Sequence, residues 1–91
     1  MKDISPEESL IEYPCDFSIK VMGAATPEFR AKVIAIATAH DKQFNKNKVS
    51  ERHSKNNKYL SLTIKISAQN RAQLDAIYTD LTASELTLWV L

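Results

Sequence analysis

The chain has 91 residues, enough for one domain with a single modest core. At 44% hydrophobic and 25% charged it lies in the ordinary globular range, and its one cysteine excludes an intrachain disulfide scaffold. The net charge of +1 hides an asymmetry: residues 1–16 hold Asp3, Glu7, Glu8, Glu12 and Asp16 against Lys2, while residues 40–59 hold Lys42, Lys46, Lys48, Arg52, Lys55 and Lys58 against Asp41 and Glu51.

Residues 1–9 contain Pro6 and few apolar anchors, so a flexible acidic arm is expected there, with one domain over 10–91 that opens at Leu10, Ile11 and Tyr13. From Phe17 to Met22 the side chains alternate. Phe17, Ile19 and Val21 fall on one face and Ser18, Lys20 and Met22 on the other, which predicts a half-buried strand. The strand runs into Gly23, the only glycine in the chain, where backbone freedom or close approach is expected. Thr26 is a helix N-cap, Pro27 suits the first helical position, and Glu28 suits the positive end of the helix dipole. Phe29, Val33, Ile36 and Ala37 then recur at helical spacing, which carries the helix to about His40.

The lysine-rich stretch over 44–52 has Phe44 and Val49 as its apolar anchors and is expected to form a short exposed edge strand. "SKNN" turns the chain. "KYLSLTIKIS" alternates most clearly, with Leu60, Leu62, Ile64 and Ile66 inward and Tyr59, Ser61, Thr63 and Lys65 outward. A second helix over about 70–82 shows one stripe of Leu74, Ile77, Tyr78 and Leu81. "ELTLWVL" is a last strand, expected to place Leu86, Leu88 and Val90 inward and Thr87, Trp89 and Leu91 outward.

The order β-α-β-β-α-β predicts an α+β ferredoxin-like sandwich, two helices on one face of a four-stranded antiparallel sheet. The opposite face is expected to carry Lys20, Met22, Tyr59, Lys65, Trp89 and Leu91. Aromatic residues and methionine exposed together point to an interaction surface, for which Lys20, Tyr59, Lys65 and Trp89 are the candidates. The corner from Met22 through Gly23, Ala24 and Ala25 to Thr26 is a second candidate, for a small ligand, because the following helix aims free N–H groups at it.

Catalytic and metal chemistry find little footing. Cys15, His40 and His53 have no metal-ligand spacing, and Ser50, Glu51 and His53 crowd one short segment, a poor arrangement for a triad. The sequence resembles acylphosphatases in expected fold and in an arginine, Arg30, near the start of the first helix. It lacks their glycine-bracketed loop, and Pro27 removes a backbone donor where phosphate would be cradled. RNA-recognition domains share the topology but stack bases on several aromatics; here the central strands offer one tyrosine. Residues 42–58 could touch phosphates only without specificity, so nucleic acid is not the expected partner.

"EYPCDFSIKVMG", the "TPEF" helix start and "YLSLTIKISA", followed by a helix and a terminal strand ending in "VL", resemble the YbeD-like family of small bacterial proteins over roughly residues 10–91. The string P-x-x-F-x-x-K-V-M-G is its most specific part. The resemblance implies a ferredoxin-like fold similar to ACT-type regulatory domains, in a family without an established activity that is often encoded beside lipoate-attachment enzymes. ACT-type domains commonly bind amino acids near the first strand-to-helix loop, which by position is Met22 to Thr26, and they pair through strands or helices. The expectation is a non-enzymatic regulatory or adaptor module without cofactor, taking a small molecule or a protein partner and self-associating as a homodimer. With no signal-peptide core and no run of membrane-spanning length, a cytoplasmic location is expected.

Overall fold

The computed structural model describes residues 12–91. In chain order the elements are β1 (Cys15–Ala24), α1 (Pro27–His40), β2 (Val49–His53), β3 (Tyr59–Ala68), α2 (Arg71–Ala83) and β4 (Thr87–Val90). The four strands form one antiparallel sheet in the order β2-β3-β1-β4, the ferredoxin-like arrangement that the alternation of elements predicts. The acidic arm expected over 1–9, with Leu10 and Ile11, lies outside the described residues.

The central ladder joins β1 and β3 over ten pairs without interruption, from Cys15↔Ala68 to Ala24↔Tyr59. Register therefore fixes which side chains share a face. Ile19, Val21, Leu60, Leu62, Ile64 and Ile66 point to one side, where Phe29, Val33, Ile36 and Ala37 of α1 and Leu74, Ile77 and Leu81 of α2 meet them in a closed core. Both helices thus lie on one face of the sheet. Thr26 caps α1 as expected, accepting the Phe29 N–H at 3.2 Å, and Asn70 caps α2 by accepting the Gln73 N–H at 2.9 Å.

The structure corrects two expectations. The basic segment is not a strand over 44–52. Asn45 accepts the Asn47 N–H at 2.8 Å and closes a 3-10 turn over Lys46–Lys48, so the strand begins only at Val49. Phe44 is a core residue, buried beside the ladder, rather than part of that strand.

The second correction concerns β4. Val90 pairs with Val21 and Trp89 with Met22, but the next pair is Gly23↔Thr87, so one extra residue, Leu88, is accommodated in a bulge. The inward position opposite Gly23 falls to Thr87, not to a leucine. Leu88 is 56% exposed, Leu86 is exposed as well, and the Thr87 hydroxyl is buried without a hydrogen-bond partner. Val90 keeps its inward place against the core, and Trp89 and Leu91 keep their outward ones.

The free edges differ. On β2 the exposed residues are Ser50, Glu51, Arg52 and His53, with Lys48 just before the strand. From Leu86 to Leu91, around β4, there is no charged side chain.

Candidate functional site

The first candidate is the corner after β1. Gly23 has an ordinary negative φ, so a left-handed backbone is not what it supplies. Its value is space. A Cβ there would lie 2.5 Å from the Leu86 carbonyl oxygen and 2.6 Å from two carbons of the buried Phe29 ring. The core side of the corner is thus filled by the chain itself. The donors are largely spoken for as well: Ala25 N–H reaches Lys58 O at 3.1 Å, Thr26 N–H reaches Ala24 O at 2.8 Å, Phe29 N–H goes to the Thr26 hydroxyl and Arg30 N–H to Thr26 O. Pro27 has none to give. A ligand at Met22–Thr26 would have to rest on the solvent side of this corner.

The second candidate is the sheet face opposite the helices, whose residues the ladder sets in rows. Trp89, Met22, Ser61 and Arg52 form one row; Leu91, Lys20, Thr63 and Ser50 the next; Ser18 and Lys65 follow, beside Lys48. Tyr59 stands opposite Ala24 at one end, with the Lys58 ammonium 5.5 Å from its ring centre. Trp89 is 41% exposed and Leu91 66%. Lys20, Lys65, Tyr59 and Trp89, the four residues singled out from sequence, therefore share one surface. Lys48, Ser18, Ser50, Thr63 and Lys65 line a shallow recess of about 360 Å³ on it.

The helix side holds the groups that looked most reactive. Arg30 Nε donates to Glu51 Oε1 at 2.8 Å, and Glu51 Oε2 lies 3.3 Å from His53 Nε2. These hydrogen bonds, Arg30's first, hold the Glu51 carboxyl below its ordinary value of 4.5. Ser50, just before Glu51, faces the other side of the sheet, so Ser50, Glu51 and His53 form no nucleophile–base pair. His40, at the end of α1, contacts Asp80 of α2 at 2.6 Å and ties the helices together. Burial pushes the Tyr78 phenol up from its ordinary 10.0, and its hydroxyl donates to Leu91 O at 3.4 Å. Cys15 is a half-buried free thiol packed beside the core. Among the described residues no three His, Cys, Asp or Glu side chains converge as a metal site would require, and no helix is long and apolar enough to cross a membrane.

One residue escaped the sequence reading. Asp41 is 4% exposed, and its carboxylate accepts the Gln43 N–H at 2.9 Å and the Ser67 N–H at 2.8 Å. It fastens the end of α1 to the end of β3. A recess of about 410 Å³ beside it is lined by His40, Gln69, Asn70 and Gln73. There the Gln73 amide donates to His40 O at 2.8 Å, so the polar floor is engaged in holding the fold. An acidic residue directly after a helix end was the available signal.

The comparisons with known proteins bear on the whole surface. The family described as "Protein of unknown function (DUF493)" matches residues 8–91. The chain belongs to the DUF493 family. Two relatives named UPF0250 protein match along their entire length, one from Janthinobacterium sp. (strain Marseille) at 42% identity and one from Leptothrix cholodnii at 46%, each over 91 residues that cover 100% of both chains. The solution structure of protein HP0495 from H. pylori superposes with a TM-score of 0.74 at 18% identity, covering 99% of this chain and 98% of that one, and supports the fold. Membership agrees with the YbeD-like resemblance carried by "EYPCDFSIKVMG". None of these names states an activity, so the function of this DUF493 protein has to be argued from its surface.

Proposed function

We propose that this DUF493 protein is a non-enzymatic regulatory or adaptor module that docks a protein partner on the uncovered face of its sheet. The observation that carries the reading is that Trp89, Tyr59, Met22 and Leu91 gather on the face opposite both helices. Large apolar side chains exposed together on a small domain mark an interaction site far more often than a catalytic one. The small-ligand reading at Met22–Thr26 has less behind it, because Phe29 and Leu86 occupy the inner side of that corner. The acylphosphatase reading loses its arginine to Glu51. A regulatory role of the ACT type, self-association as a homodimer and a link to lipoate metabolism belong to the same proposal and rest on resemblance alone, while the cytoplasmic setting rests on the sequence pattern.

A photoreactive amino acid placed at position 89 and, separately, at Lys32 on the helix side tests the docking face in bacterial cells. A defined protein adduct is expected from position 89 and not from position 32. The proposal fails if position 89 gives no adduct while amide shifts at residues 22–30 answer a pool of amino acids, nucleotides and lipoate-related acids. Turnover of a generic acyl phosphate that disappears in Arg30→Ala would refute the non-enzymatic part.

A further inference from the structure

The docking face is not uniformly apolar; its charge is sorted. Trp89, Met22 and Leu91 occupy the β4 side, and Tyr59 closes the row at the Ala24 end. The remainder carries Lys20, Lys48, Arg52 and Lys65, with Asp16 as its one acidic side chain among the described residues. The ion pairs of the described residues, Arg30–Glu51, His40–Asp80, His53–Glu51 and Arg71–Asp75, leave all four of these cations unengaged. Lys48 Nζ has only a hydroxyl, donating to Ser67 Oγ at 3.4 Å.

Register places Lys20 opposite Thr63 and Lys65 opposite Ser18, so the two lysines are diagonal neighbours, ~7–8 Å apart at the backbone. Lys48 lies one strand beyond. Like charges set this close repel one another; Asp16, the other diagonal neighbour of Lys65, is the one acidic side chain placed to offset them, and it forms no ion pair with that lysine. Around them, Ser18, Ser50 and Thr63 supply hydroxyls that can donate into the same recess, and no carboxylate lines it. The arrangement suits anionic oxygens spaced along an extended segment. Lys20 joins the two halves, standing directly between Leu91 and Thr63.

We infer that the partner taken by this face is an acidic polypeptide segment, whose carboxylates meet Lys20, Lys48, Arg52 and Lys65 while one or two apolar side chains cover Trp89 and Met22. This rests on the docking-face reading and adds the partner's chemistry. An apolar anchor beside a rim of unpaired charge is the usual division between affinity and selection. Nucleic acid is the weaker match, because the face offers only two exposed aromatics among the described residues, set on β4 and β3 with β1 between them, and the recess is bounded by hydroxyls rather than rings.

The test uses the full chain and four probes: a short Glu-rich peptide with a central Leu-Leu pair, its Gln-for-Glu and Lys-for-Glu counterparts, and poly(dT). Trp89 is the single tryptophan, so its fluorescence reports from the face, and amide shifts locate contacts. The Glu-rich peptide is expected to move Trp89, with an affinity that falls as salt rises. Lys20→Glu with Lys65→Glu weakens it about tenfold or more, Lys20→Gln with Lys65→Gln weakens it less, and Lys32→Glu on the helix side leaves it unchanged. Thermal melts confirm that each variant folds. Equal weakening by Lys32→Glu overturns the inference, because binding would then be bulk attraction. Tighter binding of poly(dT) through the same lysines overturns it in favour of nucleic acid. A Gln-for-Glu peptide that binds as well as the acidic one overturns the acidic chemistry and leaves the docking face standing. Silence from every probe also overturns the acidic chemistry, and the cross-link at position 89 then decides the docking face separately.

Discussion

Gly23→Ala places the packing argument under the most direct strain. The new methyl would lie 2.5 Å from the Leu86 carbonyl oxygen and 2.6 Å from two carbons of the Phe29 ring. Neither neighbour yields cheaply, since one is backbone and the other is a fully buried ring. Overpacking of this kind costs about 1–3 kcal/mol, and a clash with backbone belongs at the upper end. Against it, replacing a glycine of negative φ restricts the unfolded chain and returns about 0.4–1 kcal/mol. The balance is a loss of ~2 kcal/mol, which lowers Tm by roughly 8–16 °C in a domain of this size. Heat and urea unfolding followed by circular dichroism measure it. Amide exchange should accelerate first in β4, because the Gly23↔Thr87 pair is what the methyl displaces. Adding Phe29→Leu should cost less in the Gly23→Ala background than in the native one, since the ring is one of the two obstacles. A Gly23→Ala variant that melts with the native protein, or strictly additive effects of the two changes, would refute the reasoning.

Asp41→Ala leaves the Gln43 and Ser67 N–H groups without their charged acceptor and should lower stability by about 3 kcal/mol in urea unfolding, with Asp41→Asn losing less because one acceptor oxygen remains. Thr87→Val exchanges a buried, unpartnered hydroxyl for a methyl of similar shape and should stabilise by about 1 kcal/mol; a lower Tm would show that the hydroxyl is satisfied in solution. Glu51 has a folded pKa depressed below 4.5 by Arg30 and His53, so its contribution is present above 4.5 and is lost as pH falls through the lower folded value. Glu51→Gln should therefore flatten the stability profile on the acid side of 4.5 and leave its shape at neutral pH alone, which melts across that range will show.

The parts of the fold that could be read from sequence are those whose signal is local. Alternation from Phe17 to Met22 and from Tyr59 to Ile66 depends only on a period of two, and Thr26-Pro27-Glu28 announces a helix without outside help. Lys20, Tyr59, Lys65 and Trp89 could be placed on one surface for the same reason. Apart from the 3-10 turn at Lys46–Lys48, which Asn45 closes locally, the failures are contacts between distant residues. Leu88 looks like a core residue until the pairing passes from Met22↔Trp89 to Gly23↔Thr87, and the extra residue is turned out to solvent. Asp41 looks like one more surface acid until Ser67, 26 residues later, brings it a backbone N–H. Arg30 looks available for chemistry until β2 carries Glu51 against it.

The unlike edges of the sheet limit how these molecules can associate. Leu91 exchanges both backbone hydrogen bonds with Lys20, so by antiparallel alternation the N–H and C=O of Val90 point away from β1, toward open solvent. The segment around them, from Leu86 to Leu91, carries no charged side chain. On the far side, β2 carries Glu51, Arg52 and His53, with Lys48 beside them, and charged side chains along an edge discourage pairing with another strand. Of the two edges, the β4 side therefore presents the lesser barrier to another strand. Ribbon-like stacking, the ordinary hazard of an open four-stranded sheet, is thereby checked at one edge.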